Sequence, residues 1–166
     1  MQNPAHALVI GLGNILLQDE GLGVRAVERL AQQYILPEQV EWLDGGTLGL
    51  DLLPRLDGVT DLLIADAVQT ESEPGSLVRL EGDEIQAALS LKMSMHQVGL
   101  QDLLSVASLQ GRLPRRVVVW GIVPAELQLG LELTPTVAGR LDALVQALAG
   151  ELRRWGFDVS PRAGAD

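Results

Sequence analysis

The sequence predicts an α/β domain built on a parallel sheet covered by helices. Three observations carry this. An apolar run, Ala7-Leu8-Val9-Ile10, enters a glycine-rich stretch, Gly11 to Gly23, and an amphipathic helical pattern from Val24 to Tyr34 leaves it. That order of strand, loop and helix opens an α/β unit. Next, the strand pattern Asp61 to Val68 has a continuous apolar centre, the mark of a strand buried on both faces. Last, strand and helix patterns alternate along the rest of the chain. With 166 residues, the chain suits one domain, 1–166, with a core over about 7–159 and short flexible termini.

The elements follow in order. Val40 to Leu43 alternates and reads as a second strand, ending in the turn Asp44-Gly45-Gly46-Thr47. In that turn Gly45 is expected to need an angle closed to β-branched residues. Leu48 to Leu56 has helical spacing, and Asp61 to Val68 is the third strand. Pro74-Gly75 marks a turn. Ser76 to Leu80 then forms a fourth strand, which must run antiparallel because the connection is too short for a crossover helix. A weak helical pattern spans Asp83 to Leu91, and a stronger one follows His96 and stops at Gly111. Arg115 to Ile122 is the fifth strand. Thr134-Pro135 opens the last helix, with Thr134 as its cap and proline in the first turn. Ser160 to Asp166 is expected to fray.

Composition removes several function classes. The net charge of −10 disfavours nucleic acid and anionic membrane surfaces, both of which require basic patches. With no cysteine, the chain forms no disulfide and supplies no thiolate. The beginning of the chain has no secretory pattern and no apolar run spans a bilayer, so the expected compartment is the cytoplasm, without membrane insertion.

Three loops leave the carboxyl ends of the first three strands, where open α/β sheets bind ligands. They carry Glu20, Asp44 and Asp66. Because the fourth strand is antiparallel, the segment after it must cross back, which would deliver His96 to the same edge. Two carboxylates and an imidazole suit nickel, zinc, manganese or iron, and equally acid/base chemistry. Each residue also has a plain reading: Asp66 and Asp44 as turn residues, His96 as a helix cap, His6 as a solvated side chain before the first strand. The Gly11-Leu12-Gly13 turn is similar to a dinucleotide fingerprint, but Leu16 stands where its third glycine belongs. Asp44 occupies the place of a ribose ligand in that scheme.

Five ordered motifs, taken together, resemble the hydrogenase maturation endopeptidases. They are Gly11 to Leu16 with Asp19-Glu20-Gly21-Leu22-Gly23; Leu43 to Thr47; Ile64 to Ala67; Ser94-Met95-His96-Gln97; and Gly121 to Pro124 with Leu133-Thr134-Pro135. The resemblance runs from Ala7 to about Pro161. It implies a three-layer α/β/α fold, phosphorylase/hydrolase-like, with a mixed five-stranded sheet containing one antiparallel strand. It implies an endopeptidase that removes the C-terminal extension of the nickel–iron hydrogenase large-subunit precursor after nickel insertion. Glu20, Asp66 and His96 match the family's nickel-contacting and catalytic set, with Asp44 a candidate accessory carboxylate. The nickel is supplied by the substrate, and no tightly bound intrinsic cofactor is expected. The rival readings are a nickel-binding maturation chaperone that does not cut, a nucleotide-binding α/β domain, and a hydrolase with its own tightly bound metal.

Overall fold

The structure, a computed structural model, describes residues 4–89 and 95–164, and of residues 95–98 the backbone alone. The chain runs through β1 (Ala7–Leu12), a 3-10 turn (Gln18–Gly21), α1 (Leu22–Gln33), β2 (Tyr34–Ile35) and β3 (Val40–Gly46). A 3-10 helix (Gly49–Leu56), β4 (Asp61–Ala67), β5 (Leu77–Glu81), α2 (Asp83–Leu89) and α3 (Met95–Leu109) follow. β6 (Arg116–Ile122), α4 (Pro135–Ala138), α5 (Leu141–Arg154) and β7 (Ser160–Pro161) complete it.

Five strands make one sheet in the order β3-β1-β4-β6-β5. β3, β1, β4 and β6 are mutually parallel, and β5 runs antiparallel on β6. The short connection after β4 therefore reverses the chain as expected, but β6 is inserted between β4 and β5. The central strands β1 and β4 bury both faces. Ala7, Val9, Leu63 and Ala65 face α1 and α5, meeting Val27, Leu30, Leu144 and Leu148. Leu8, Ile10, Leu62 and Ile64 face the other way, onto Leu52 and Leu56 of the 3-10 helix, Ile85 of α2 and Leu103 of α3. That gives the three layers. Burying each such leucine or isoleucine stabilises by roughly 1.5–3 kcal/mol.

Two expectations about the last third of the chain need correction. The final helix is not continuous. α4 stops at Ala138 and α5 starts at Leu141, and Thr134 does not cap α4 with its side chain. Nor is the tail loose over Ser160 to Arg162, while residues 165–166 of the expected frayed stretch lie outside the described residues. β7 pairs antiparallel with β2, and the Arg162 N–H donates to the Gln33 carbonyl at 2.8 Å. An isolated two-residue pair carries no sequence periodicity, so neither strand is readable in advance. His6 also differs: its side chain is 31% exposed and stands 3.4 Å from the Glu41 carboxylate.

One buried acid binds the layers together. Glu151 of α5 accepts from Arg79 Nε of β5 at 2.6 Å and from Trp120 Nε1 of β6 at 3.0 Å. Burial opposes its charge, but the bonds from Arg79, Trp120 and Arg154 outweigh that, so its carboxyl lies below the ordinary glutamate range.

Candidate active site at the carboxyl edge of the sheet

Glu20 and Asp66 reach the same edge by different routes. After β1 the chain doubles back through Gly13, whose φ is 123°. A Cβ there would lie 1.7 Å from the Glu20 carbonyl oxygen, so only glycine lets the loop fold onto itself. Gly23, in the first turn of α1, makes a second close approach. Its Cβ would fall 2.1 Å from the Ala65 carbonyl oxygen and 2.5 Å from that of Leu12. The start of α1 is thereby pressed onto the ends of β1 and β4, one residue short of Asp66. The glycines of this loop serve the chain's own packing. The space a pyrophosphate would need against Gly13 is filled by the Glu20 carbonyl, which removes the basis of the dinucleotide reading.

Both acids are buried: Glu20 is 7% exposed and Asp66 2%. Each takes part in polar interactions of the native fold. Alternation along β4 points Asp66 to the same face as Leu62 and Ile64, the face covered by α2 and α3. Asp66 Oδ1 accepts from the Ala67 N–H at 2.8 Å, so part of the turn-residue reading is correct. Asp66 also lines a small cavity with Ile85, Leu89 and Leu100.

Leu100 lies one helical turn beyond His96, which falls in the first turn of α3; the His96 side chain lies outside the described residues. α3 begins at the carboxyl edge, because Gly99 packs on Gly49 at the start of the 3-10 helix that follows β3. The expected return crossing after β5 therefore occurs. Of the connecting residues, 90–94 lie outside the described ones.

Asp44 stands at the carboxyl end of the edge strand β3 and is exposed. Its Oδ1 accepts from the Gly46 N–H at 2.9 Å, which shapes the turn. In the sheet order β1 separates β3 from β4, so Asp44 and Asp66 sit on strands about 10 Å apart. The special angle belongs to Gly46, with φ 47°. Gly45 is needed for space: a Cβ there would lie 2.6 Å from Ile10 Cγ2. Among the described residues no three His, Cys, Asp or Glu side chains cluster as a metal site.

The residue whose importance sequence reading missed is Asp19. It is wholly buried and collects donors from a loop more than 100 residues away. The Ala125, Glu126 and Thr134 N–H groups donate to its carboxylate at 2.9, 3.1 and 2.8 Å. The Thr134 hydroxyl donates at 2.8 Å as well, which is why it does not cap α4. The backbone extends the same clasp: Gln18 N–H donates to the Gly130 carbonyl and Gly130 N–H to the Leu16 carbonyl, both at 2.9 Å. Gln18 is held at φ 50°, a conformation that disfavours a residue with a Cβ. Of two adjacent acids, Asp19 anchors the loop and Glu20 is carried on it, buried at the same edge as Asp66. The only advance signal was a second acid next to Glu20 with no amphipathic role of its own.

Comparison with known proteins shows the family of the chain. The family model HycI, hydrogenase maturation protease, matches residues 24–151. The chain belongs to the hydrogenase maturation protease family. Its fold and its chemistry class, hydrolysis of a peptide bond in hydrogenase maturation, are those of that family. The hydrogenase expression/formation protein HupD of Rhodobacter capsulatus is 44% identical over 162 residues, 96% of this chain and 77% of that protein. The hydrogenase 2 maturation protease of Escherichia coli K12 is 42% identical, over 93% of this chain and 95% of the other. Among solved structures, the hydrogenase maturating endopeptidase HybD from E. coli superposes with a TM-score of 0.91 at 41% identity. That match covers 95% of this chain and 98% of that one. The NiFe hydrogenase maturation protease HybD from Thermococcus kodakarensis gives 0.74 at 31% identity, over 89% and 98%. Among the described residues no helix is long and apolar enough to cross a membrane.

Proposed function

We propose that this maturation protease removes the C-terminal extension of a nickel–iron hydrogenase large-subunit precursor, in the cytoplasm, once nickel is in place. The observation that carries the reading is the convergence of two buried carboxylates, Glu20 and Asp66, at the carboxyl edge beside the start of the helix that bears His96. The nickel is part of the substrate. Oxygen donors with one imidazole form a partial shell for a divalent transition metal, and the precursor supplies the remaining ligands. Glu20, Asp66 and His96 then hold the metal-loaded precursor so that the bond beside it lies in the site. Positioning of that kind accounts for a large part of a hydrolase's rate. A water molecule adds to the scissile carbonyl, the C–N bond breaks, and the new amine takes up the proton. A carboxylate of the trio is the base that accepts the water's proton, and Asp44 shapes the neighbouring rim.

The test is direct. Nickel-loaded and nickel-free precursor are incubated with the protease and the shortened product is followed by gel and mass spectrometry. Cutting of the loaded precursor alone is expected, and His96→Ala is expected to abolish it. A variant that still cuts at the wild-type rate makes His96 a helix cap and removes it from the site. Stable binding of loaded precursor without any product would support a chaperone instead.

A further inference from the structure

The large apolar side chains left exposed are unevenly distributed. Six of the ten that stand out of the described surface lie on the loops around Glu20 and Asp66: Ile15, Leu16, Leu48, Leu50, Leu129 and Leu131. Leu129 is 84% exposed and Leu131 64%. These loops are joined to one another by backbone hydrogen bonds. Gly13 N–H donates to the Gly46 carbonyl, linking the Ile15–Leu16 loop to the Leu48–Leu50 segment. The Leu16–Gly130 bond links it to Leu129 and Leu131. Scattered exposed leucines are ordinary on a soluble protein, but a contiguous set is not.

Exposed acids, Asp44, Asp51, Glu126 and Glu132, lie on the same loops. We infer that this apolar collar, rimmed with acids, is the surface on which the folded body of the precursor docks, through an apolar patch edged by lysine and arginine. The inference rests on the proposed function. Its grounds are the continuity of the collar with the site and the four exposed acids of its rim, which the half-buried Arg25, bonded to the Leu131 carbonyl, offsets only in part. Apolar centre and charged edge are the anatomy of a protein–protein interface. A site that took only an extended peptide tail would need a groove, not a ring of outward leucines on three loops. The Asp19 clasp fits this role, since it fixes two of those loops relative to Glu20.

The experiment measures kcat and KM for wild type, Leu129→Asp and Leu16→Asp on nickel-loaded precursor, with Leu109→Asp as a control. Leu109, at the other end of the fold, is 88% exposed and matches Leu129 in accessibility. The collar variants are expected to raise KM by about tenfold or more with kcat within about threefold. Leu109→Asp should change neither. Glu126→Lys with Glu132→Lys should raise KM further as the rim loses its sign. An unchanged KM in the collar variants, or an equal rise in the Leu109→Asp control, overturns the collar. Absence of any cutting by wild type would instead overturn the proposed function, so the two failures are separate. Should Leu129→Asp lower the melting temperature, Leu129→Ser carries the same comparison without a new charge.

Discussion

Two wholly buried aspartates sit at opposite edges of the sheet, and they are held in opposite ways. Asp61, at the amino end of β4, accepts from Arg116 Nε at 2.6 Å and the Thr60 hydroxyl at 2.7 Å, with Arg115 3.5 Å away. Arg116 also lies over the Trp155 ring. Asp19, beyond the carboxyl end of β1, is held by three backbone N–H groups and a hydroxyl. A guanidinium cancels a carboxylate's charge, whereas a neutral donor orients it and leaves the charge in place. The amino edge is therefore a charge-balanced joint between two strand starts. At the carboxyl edge, Asp19 orders two loops through neutral donors alone.

The largest effect should come from the carboxyl edge itself. Glu20→Gln and Asp66→Asn keep side-chain size and are expected to slow processing by about a hundredfold or more. The melting temperature should stay within a few degrees of wild type. A collapse of the fold in both would reduce them to structural acids and erase the contrast with Asp61. Asp19→Ala comes next. It strips the acceptor from four donors, each costing about 1–3 kcal/mol when buried and unmet. Relaxation of the loop lets water recover part of this, so a loss of about 3 kcal/mol in denaturant unfolding is expected, together with loss of cutting.

Asp61→Ala should cost less, about 1–2 kcal/mol, because its arginines are partly exposed and rehydrate. It should leave processing intact; loss of cutting as deep as in Asp19→Ala would show that the two edges are not independent. The smallest effect concerns pH. The Glu151 carboxyl is held below its ordinary value, so its stabilisation is complete above that ordinary value, about 4.3. It is lost as pH falls through the lower folded value. Glu151→Gln should therefore flatten part of the acid limb of the stability curve and change nothing in its slope at neutral pH.

Most of the sheet was legible because buried parallel strands leave continuous apolar runs, and β1, β4 and β6 each have one. The reversal at β5 followed from connection length. Sheet order did not, since no local pattern tells β5 to pair with β6 instead of β4. Glu20, Asp44 and Asp66 could be placed at one edge from strand ends alone. The division of labour between Asp19 and Glu20 could not be seen, because it depends on donors at Ala125, Glu126 and Thr134. Thr134-Pro135 looked like a self-sufficient helix start, and the competing acceptor that claims the hydroxyl is 115 residues away. Gly45 was recognised as irreplaceable for the wrong reason: a neighbouring side chain crowds it, while the turn angle belongs to Gly46.

The bond between Asp19 and Thr134 also sets a clock. The ribosome adds roughly 5–20 residues per second, so Thr134 is made roughly 6 to 23 seconds after Asp19. Until then the loop bearing Glu20 lacks its anchor, and the long-range closure must follow synthesis. A nascent chain accordingly carries Glu20 on an unanchored loop until Thr134 has been made.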